Sequence, residues 1–599
     1  MNDKTFIKGK DAALEESIAT MQEKLKALNF DIEEASWLNP VPNVYSVHIR
    51  DKDCGLMFTN GKGTTKKSCL ASALGEYFER LSCNYFFADF YLGKDFANEN
   101  FVHYPNERWF ISDSEDSSND DPDNDDPGYN DKIPAGLLDE KLWAYYDPEQ
   151  ELTASKIFDT NSGIGERGIC ACPYRRQRDG KDIWFPINII GNSYVSNGMS
   201  AGNTKNEARV QSLSEVFERH IKNKIIAEGI CLPEVPESVL DRFPKIVEAI
   251  KKLESHGYQL RVADASLGGR YPVMSVTLIN PNNATVFASF GAHPSFEVAL
   301  ERTVTELLQG RDLDQLDGFQ TPSFDIDEVA DHHNLETHFI DSSGLIAYDF
   351  FKNKADYAFS DWDHDATTTD EFSYLCDIIH ELGFDIYIAD YEHLNVYSCR
   401  IIVPGMSDIY PVDDLVWNNN NEGALFREEI LSLKDLDEAR WSSILTRLDE
   451  SGYNDFQRVA EFIGVAPDPG TSWASLRIGE LKAMLCLALK SEEAIEWVNW
   501  CIQIDQLDQD TSKYYLCLQA LLEINADESQ DLDDYRDSLK LMFGEKTLSN
   551  CLDVISGKEN FFGLHSPGLS LDGFATHKKL LDGYRKLHAA KIQNWPVQE

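Results

Sequence analysis

The string Leu-x-Glu-x-Phe-Glu-Arg occurs twice in the chain, within ALGEYFER at 73–80 and SLSEVFER at 212–219. A helix that only had to bury one face would repeat its apolar letters. Here the carboxylates and the arginine repeat as well, so chemistry constrains these segments alongside packing. Wider windows extend the repeat. CGLMFTNGKGTTKKSCLASALGEYFERL and WFPINIIGNSYVSNGMSAGNTKNEARVQSLSEVFERHIK both run apolar strand, glycine turn, helix. ATVFASFGAHPSFEVALERTVTELLQGR has the same order of parts a third time. Each helix opens beside a turn whose backbone N–H groups are free, a setting that attracts anions. Thr204 and Glu207 have the spacing of a capping box at the second of these openings.

The polar residues of the repeat fall into stripes. Glu207, Gln211, Glu215 and Glu218 lie at i, i+4, i+8 and i+11, which is one helix face. Ser72, Glu76 and Glu79 repeat the last three of these spacings, with Arg80 alongside, and Arg302 and Glu306 stand one turn apart in the third unit. A lone Glu-x-x-Glu-Arg is ordinarily a solvated helix with a local ion pair. Two copies with matching aromatics, joined by a third Arg/Glu helix, argue for a site. Carboxylates that converge without a counter-charge raise one another's pKa. Divalent cations remove that conflict. An oxygen-only donor set suits Mg²⁺, which typically comes with substrate phosphates, and arginine forks suit the phosphate oxygens. The stripes predict a Mg²⁺–nucleotide site.

Two shorter motifs compete with this. GKGTTKKS at 61–68 resembles a phosphate loop, but that pattern needs glycine where Lys66 stands. GMSAG at 198–202 matches a nucleophile elbow, which would make Ser200 the nucleophile of a serine hydrolase with Asp390 and His393 downstream. The alternative places Ser200 in the anion-binding turn ahead of the Glu207 helix.

A net charge of −47 excludes an extended nucleic-acid surface. The start, MNDKTFIKGKDAALEES, lacks a signal-peptide core, and no apolar run approaches the ~20 residues of a membrane span. A cytoplasmic protein with neither nucleic-acid nor membrane partner is expected. The cysteines are scattered through apolar stretches without zinc-site spacing, so they read as core residues of a reduced compartment.

DAALEESIATMQEKLKALNF reads as an amphipathic helix with Leu14, Ile18, Met21, Leu25 and Leu28 on one face. From about residue 40 to 405, outside the acidic tract, strands such as VYSVHIR, WFPINII, YPVMSVTLI, ATVFASF and FDIYIADY alternate with helical stretches, giving an α/β (α+β) core built of strand–Gly turn–helix units. The acidic tract at 112–131 is expected to be a disordered insertion. It is not a calcium loop, since Asp126 and Lys132 occupy the Gly and Glu positions. Residues 406–440 are expected to link this core to an all-α, tetratricopeptide-like region over 441–599, which reads either as a helical cap on the core or as a docking surface for a protein partner.

At these helices, and in FIKGKDAALEESI, EEASWLNPVPNVYSVHIRD, SNGMSAGNTKNEARVQ and IIVPGMSDIYP, the chain resembles the YcaO family over nearly its whole length. The resemblance implies a YcaO-type ATP-binding domain over 1–405, with ATP and Mg²⁺ as cofactors. It implies that Glu76, Glu79, Glu207, Glu215, Glu218 and Glu306 bind the metal and that Lys10, Ser17, Arg219 and Arg302 contact phosphates. Lys67, Ala71, Ser200, Asn203 and Gln211 would lie near the nucleoside or the phosphate-binding turn. Family members use ATP to activate a backbone amide oxygen before a nucleophile attacks the carbonyl carbon. The resemblance also implies a role in β-methylthiolation of a small-subunit ribosomal protein, a radical methylthiotransferase as partner, and a homodimer. The tail KIQNWPVQE lacks the proline-rich end of azoline-forming members, which argues against cyclodehydration. A nucleotide-gated scaffold with no chemistry of its own is the competing expectation.

Overall fold

The computed structural model describes residues 4–111, 132–162, 167–316, 318–504 and 507–596, so the acidic tract lies outside the described residues. Strands β1 (Ile32–Val41), β2 (Val44–Asp51) and β3 (Phe58–Gly63) form an antiparallel meander. Strands β4 (Arg108–Phe110), β5 (Ile169–Arg176), β6 (Asp182–Pro186) and β7 (Met199–Gly202) open a second sheet. Strands β8 (Gln259–Asp264), β9 (Val273–Asn280) and β10 (Thr285–Ala292) make a third, ordered β10-β9-β8. The chain then returns to the second sheet with β11 (Tyr387–Tyr391) and β12 (Tyr397–Ile402), giving the path β4-β5-β11-β12-β7 with β6 on β5.

Two local expectations are corrected. WFPINII is not one strand: it ends at Pro186, and Ile187–Tyr194 is a helix. GMSAG is not the turn of the second unit but its strand, β7.

The three units interlock. Their helices are Lys66–Ser82, Lys205–Ala227 and Phe296–Leu307. Each packs on the strand of its own unit (β3, β7 and β10) and also on that of the next: the first on β7, the second on β10, the third on β3. The three units thus close on one another in a ring, each helix lying on the next unit's strand. A hydroxyl ties strand to helix across fourteen residues in each unit: Thr59 donates to the Ala73 carbonyl (2.9 Å), Ser289 to that of Thr303 (2.9 Å), and, in reverse, Ser212 to that of Gly198 (2.7 Å). Close approach requires glycine. A Cβ on Gly61 would stand 2.2 Å from the Cys69 carbonyl oxygen, and one on Gly291 2.8 Å from that of Ala299.

The apolar letters of the repeat fill two cores. Leu213, Val216 and Phe217 pack with β10 and β12, and Leu74, Tyr77, Phe78 and Leu81 pack beneath the first meander. The latter core is completed by Leu580, Tyr584 and Leu587 from the helix Ala575–Asn594 near the other end of the chain. The helices Ile478–Leu489, Ala494–Ile502 and Gln509–Ala526 pack consecutively around a core of their own.

The 406–440 stretch is built into the seam between the two regions. Asn421 donates to the carbonyls of Lys156 and Phe158 (2.9 Å each), and Arg427 to those of Ile463 (2.6 Å) and Thr160 (2.9 Å). Buried amides and guanidinium are satisfied only by holding both sides together. All twelve cysteines are buried and free. Among the described residues no helix is long and apolar enough to cross a membrane.

Candidate functional site

The inner faces of the three helices line a cleft of about 1510 Å³. Into it the fold brings Lys10, Ser17, Ala71, Glu76, Glu79, Ser200, Asn203, Glu207, Gln211, Glu215, Glu218, Arg219, Arg302 and Glu306. Lys67 is not among them. It sits on the exposed first turn of its helix and pairs with Glu15 (2.6 Å), whose carboxylate also accepts from the Thr5 amide (2.8 Å) and hydroxyl (2.7 Å). That ion pair fastens the N-terminal segment to the first unit.

The helix openings explain how the stripes are aimed. Thr65 caps the first helix and exchanges both bonds of a capping box with Ser68 (3.1 and 3.0 Å). Thr204 accepts from the Glu207 amide (3.2 Å), but the reciprocal bond is not made. The Glu207 carboxylate turns instead to the Asp11 amide (2.8 Å), the Asn203 side chain (3.0 and 2.9 Å) and the Lys10 ammonium (3.2 Å). Burial alone would raise this carboxyl, yet Lys10, Asp11 and Asn203 together hold it below its ordinary value. Asn203 also accepts from Ser17 (2.7 Å), so the N-terminal segment and the second helix opening form one polar cluster.

Farther along, every carboxylate faces a cation. Arg80 bridges Glu76 (3.1 Å) and Glu79 (3.4 Å), and Arg219 pairs with Glu215 (2.9 Å). Lys62 pairs with Glu306. Arg302 donates to the Ala292 carbonyl (3.0 Å) and to Gln211, joining the third helix to the second. Burial raises the Glu79 carboxyl well above the ordinary range; Arg80 opposes this, while Glu215 and Glu76 add to it. Burial likewise raises Glu218, against the pull of Lys62, Lys222 and Arg219. Lys62 is lowered by burial, with Glu218 opposing.

Among the described residues no three Asp, Glu, His or Cys side chains converge on one point as a finished ion site. The donor chemistry nonetheless fits a hard divalent cation. The ligands on offer are carboxylates from three helices, and two of them are held above their ordinary pKa by burial, a cost that a 2+ ion offsets.

The serine-hydrolase expectation fails. Ser200 is fully buried in β7 opposite Cys399 and donates only to the adjacent Ala201 carbonyl (3.5 Å). Asp390 is held by Arg209 (2.9 Å), Lys205 (2.8 Å) and Tyr397. His393 is buried against Trp595, neither ring nitrogen has a partner, and burial keeps the ring neutral. No relay joins the three.

Two contributors escaped the sequence. Asp11 accepts from Thr204 and Thr368 and so anchors Lys10 over the cleft. Lys62 projects from β3 into the carboxylates. Its position was marked by its neighbours: Gly61 and Gly63 both face the helix, so alternation turns Lys62 the other way.

A mixed α/β core carrying an anion- and cation-compatible cleft, with a helical region behind it, defines the class of protein. The YcaO signature, described as a cyclodehydratase that binds ATP and Mg²⁺, matches residues 60–407, and that of the YcaO C-terminal domain matches 423–593. The chain belongs to the YcaO family. It is 55% identical over 596 residues to the ribosomal protein S12 methylthiotransferase accessory factor YcaO of Escherichia coli, covering 99% of both chains. A protein of Haemophilus influenzae is 53% identical, with 99% of this chain and 100% of that one covered. Among solved structures, a heterocyclase in complex with substrate and cofactor aligns with TM-score 0.42 at 18% identity, over 67% of this chain and 54% of that one. YcaO from Methanopyrus kandleri bound with AMPPCP and Mg²⁺ aligns with TM-score 0.41 at 16% identity, over 68% and 95%.

Proposed function

We propose that the chain binds Mg²⁺–ATP in the three-helix cleft and couples its hydrolysis to backbone-amide activation or to assisting β-methylthiolation of a small-subunit ribosomal protein. The observation that carries this reading is the ring closure, which aims carboxylates from all three helices and the arginines of the second and third into one cleft. Glu76, Glu79, Glu207, Glu215, Glu218 and Glu306 would hold Mg²⁺. Lys10, Ser17, Arg219 and Arg302 would contact phosphate oxygens, with Ala71, Ser200, Asn203 and Gln211 toward the nucleoside. Bound Mg²⁺ offsets the charge of the transferring phosphoryl group. Arg302 is pre-aimed by the Ala292 carbonyl and Gln211, so little side-chain freedom is lost when it meets an anion. Lys10 is held at the cleft by Glu207 and by the Asp11 anchor, within reach of an anion entering beside it.

The accessory role is supported by the E. coli relative, whose own description is of such a factor. ATP hydrolysis by wild type and by the Glu76→Ala/Glu215→Ala pair tests the site: the reading expects hydrolysis in wild type to fall at least about a hundredfold in the double variant, and unchanged hydrolysis would refute it. Passage of an oxygen label from a peptide amide into phosphate separates amide activation from a scaffold that does no chemistry.

A further inference from the structure

Lys62 has no part in the assignments above, yet it occupies their centre. Strand alternation fixes its direction, because the flanking Gly61 and Gly63 lie against the helix backbone, where a Cβ on Gly63 would meet the Cys69 nitrogen at 2.7 Å. Its side chain, 28% exposed, enters the cleft, pairs with Glu306, and stands within electrostatic reach of Glu218, Glu76 and Glu215, with the Arg302 cation also nearby. Carboxylates of all three helices therefore share this ammonium. The other lysine on that flank is committed elsewhere: Lys222 donates to the His338 carbonyl (2.6 Å) and to Ser342 (3.3 Å). Lys62 has no such backbone anchor, and its four-carbon stem lets the head swing.

We infer that Lys62 is a counter-cation built into the carboxylate cluster, with which divalent metal must compete. This rests on the Mg²⁺–ATP reading and deepens it: Lys62 is a positioning residue that sets the metal concentration at which nucleotide binds. A lysine charge shared by several carboxylates lowers the negative potential that attracts a 2+ ion. Removing it raises metal affinity by about tenfold or more, given unit charges a few ångströms apart in a partly desolvated cleft. A lysine serving mainly as a phosphate contact would behave differently, since its loss would weaken nucleotide at every metal concentration.

The test is calorimetric binding of AMPPCP over a series of free Mg²⁺ concentrations, for wild type, Lys62→Met and Lys62→Arg. For Lys62→Met the inference expects the half-saturating Mg²⁺ concentration to fall about tenfold, with nucleotide affinity at saturating Mg²⁺ within about twofold of wild type. Lys62→Arg keeps the charge and should keep the wild-type midpoint. An unmoved midpoint in Lys62→Met would overturn the inference, and so would a loss of affinity that persists at saturating Mg²⁺. Lys62→Gln repeats the measurement should the methionine variant fail to fold. If wild type binds no AMPPCP at any Mg²⁺ concentration, the underlying reading falls, a result distinct from an unmoved midpoint.

Discussion

Gly61 shows how a single backbone position sets the site. The first helix approaches β3 so closely that a methyl group at this position would enter the van der Waals shell of the Cys69 carbonyl and of the Ala73 nitrogen, at 2.2 and 2.7 Å. Gly61→Ala is therefore expected to cost about 2–3 kcal/mol in urea unfolding and to shift the Glu76 and Glu79 carboxylates out of register. Stability unchanged within about 0.5 kcal/mol would contradict that packing. A fluorophosphonate probe should leave wild type unlabelled, because Ser200 lies in a buried strand with no relay to a base; stoichiometric labelling would reverse that conclusion. At this scale the sequence was legible wherever contacts are local. Glu207, Gln211, Glu215 and Glu218 share a face through helix periodicity alone, whereas the bond between Arg302 and Gln211 spans 91 residues and left no local trace. The Lys67–Glu15 pair likewise left no local trace: periodicity fixes a face but does not say that Glu15 of another helix waits beside it.

At the scale of elements, the helix Ala575–Asn594 carries a buried lysine whose titration should be visible. Lys591 donates to the His103 carbonyl (2.7 Å) and to Asn84, and lies over the Tyr104 ring (4.3 Å). Burial pushes its pKa from 10.5 down to about 7. Between those values the unfolded chain holds the extra proton, so unfolding takes one up and this group makes stability rise with pH. The penalty is fullest below about 7 and fades toward 10.5. Relative to Lys591→Met, wild-type stability should climb by up to about 1.4 kcal/mol per pH unit in that window; parallel profiles for the two proteins would contradict the burial. Elements with strong periodicity, such as Leu14–Ala27 and Val273–Asn280, stand where the pattern predicts. WFPINII did not, because a short apolar run is ambiguous between strand and helix, and Pro186 ends the strand. The capping box at Thr204 is half made because Glu207 is drawn to Lys10 and Asp11, partners that local spacing cannot reveal.

For the whole molecule, the two regions differ in texture but share a core. Leu580, Tyr584 and Leu587 lie under the first meander, and the Asn421–Arg427 segment is hydrogen-bonded to both sides of the seam. A fragment of residues 1–405 would expose that apolar floor, and it should aggregate or fail to unfold cooperatively. The full chain should melt in one transition; two well-separated calorimetric transitions would show that the regions are independent. The polar stretch at 413–423 marks a change of texture in the sequence, but the return of the final helix to the first core has no such mark, since nothing local shows which core an amphipathic helix will join. Whether the cleft holds the nucleotide is decided by ATP binding in calorimetry, with and without Mg²⁺, on wild type and Glu215→Ala. Wild type should bind ATP in a Mg²⁺-dependent way, and the affinity should fall at least about tenfold in the variant. Equal binding by both proteins, or binding indifferent to Mg²⁺, would contradict a nucleotide site in the cleft.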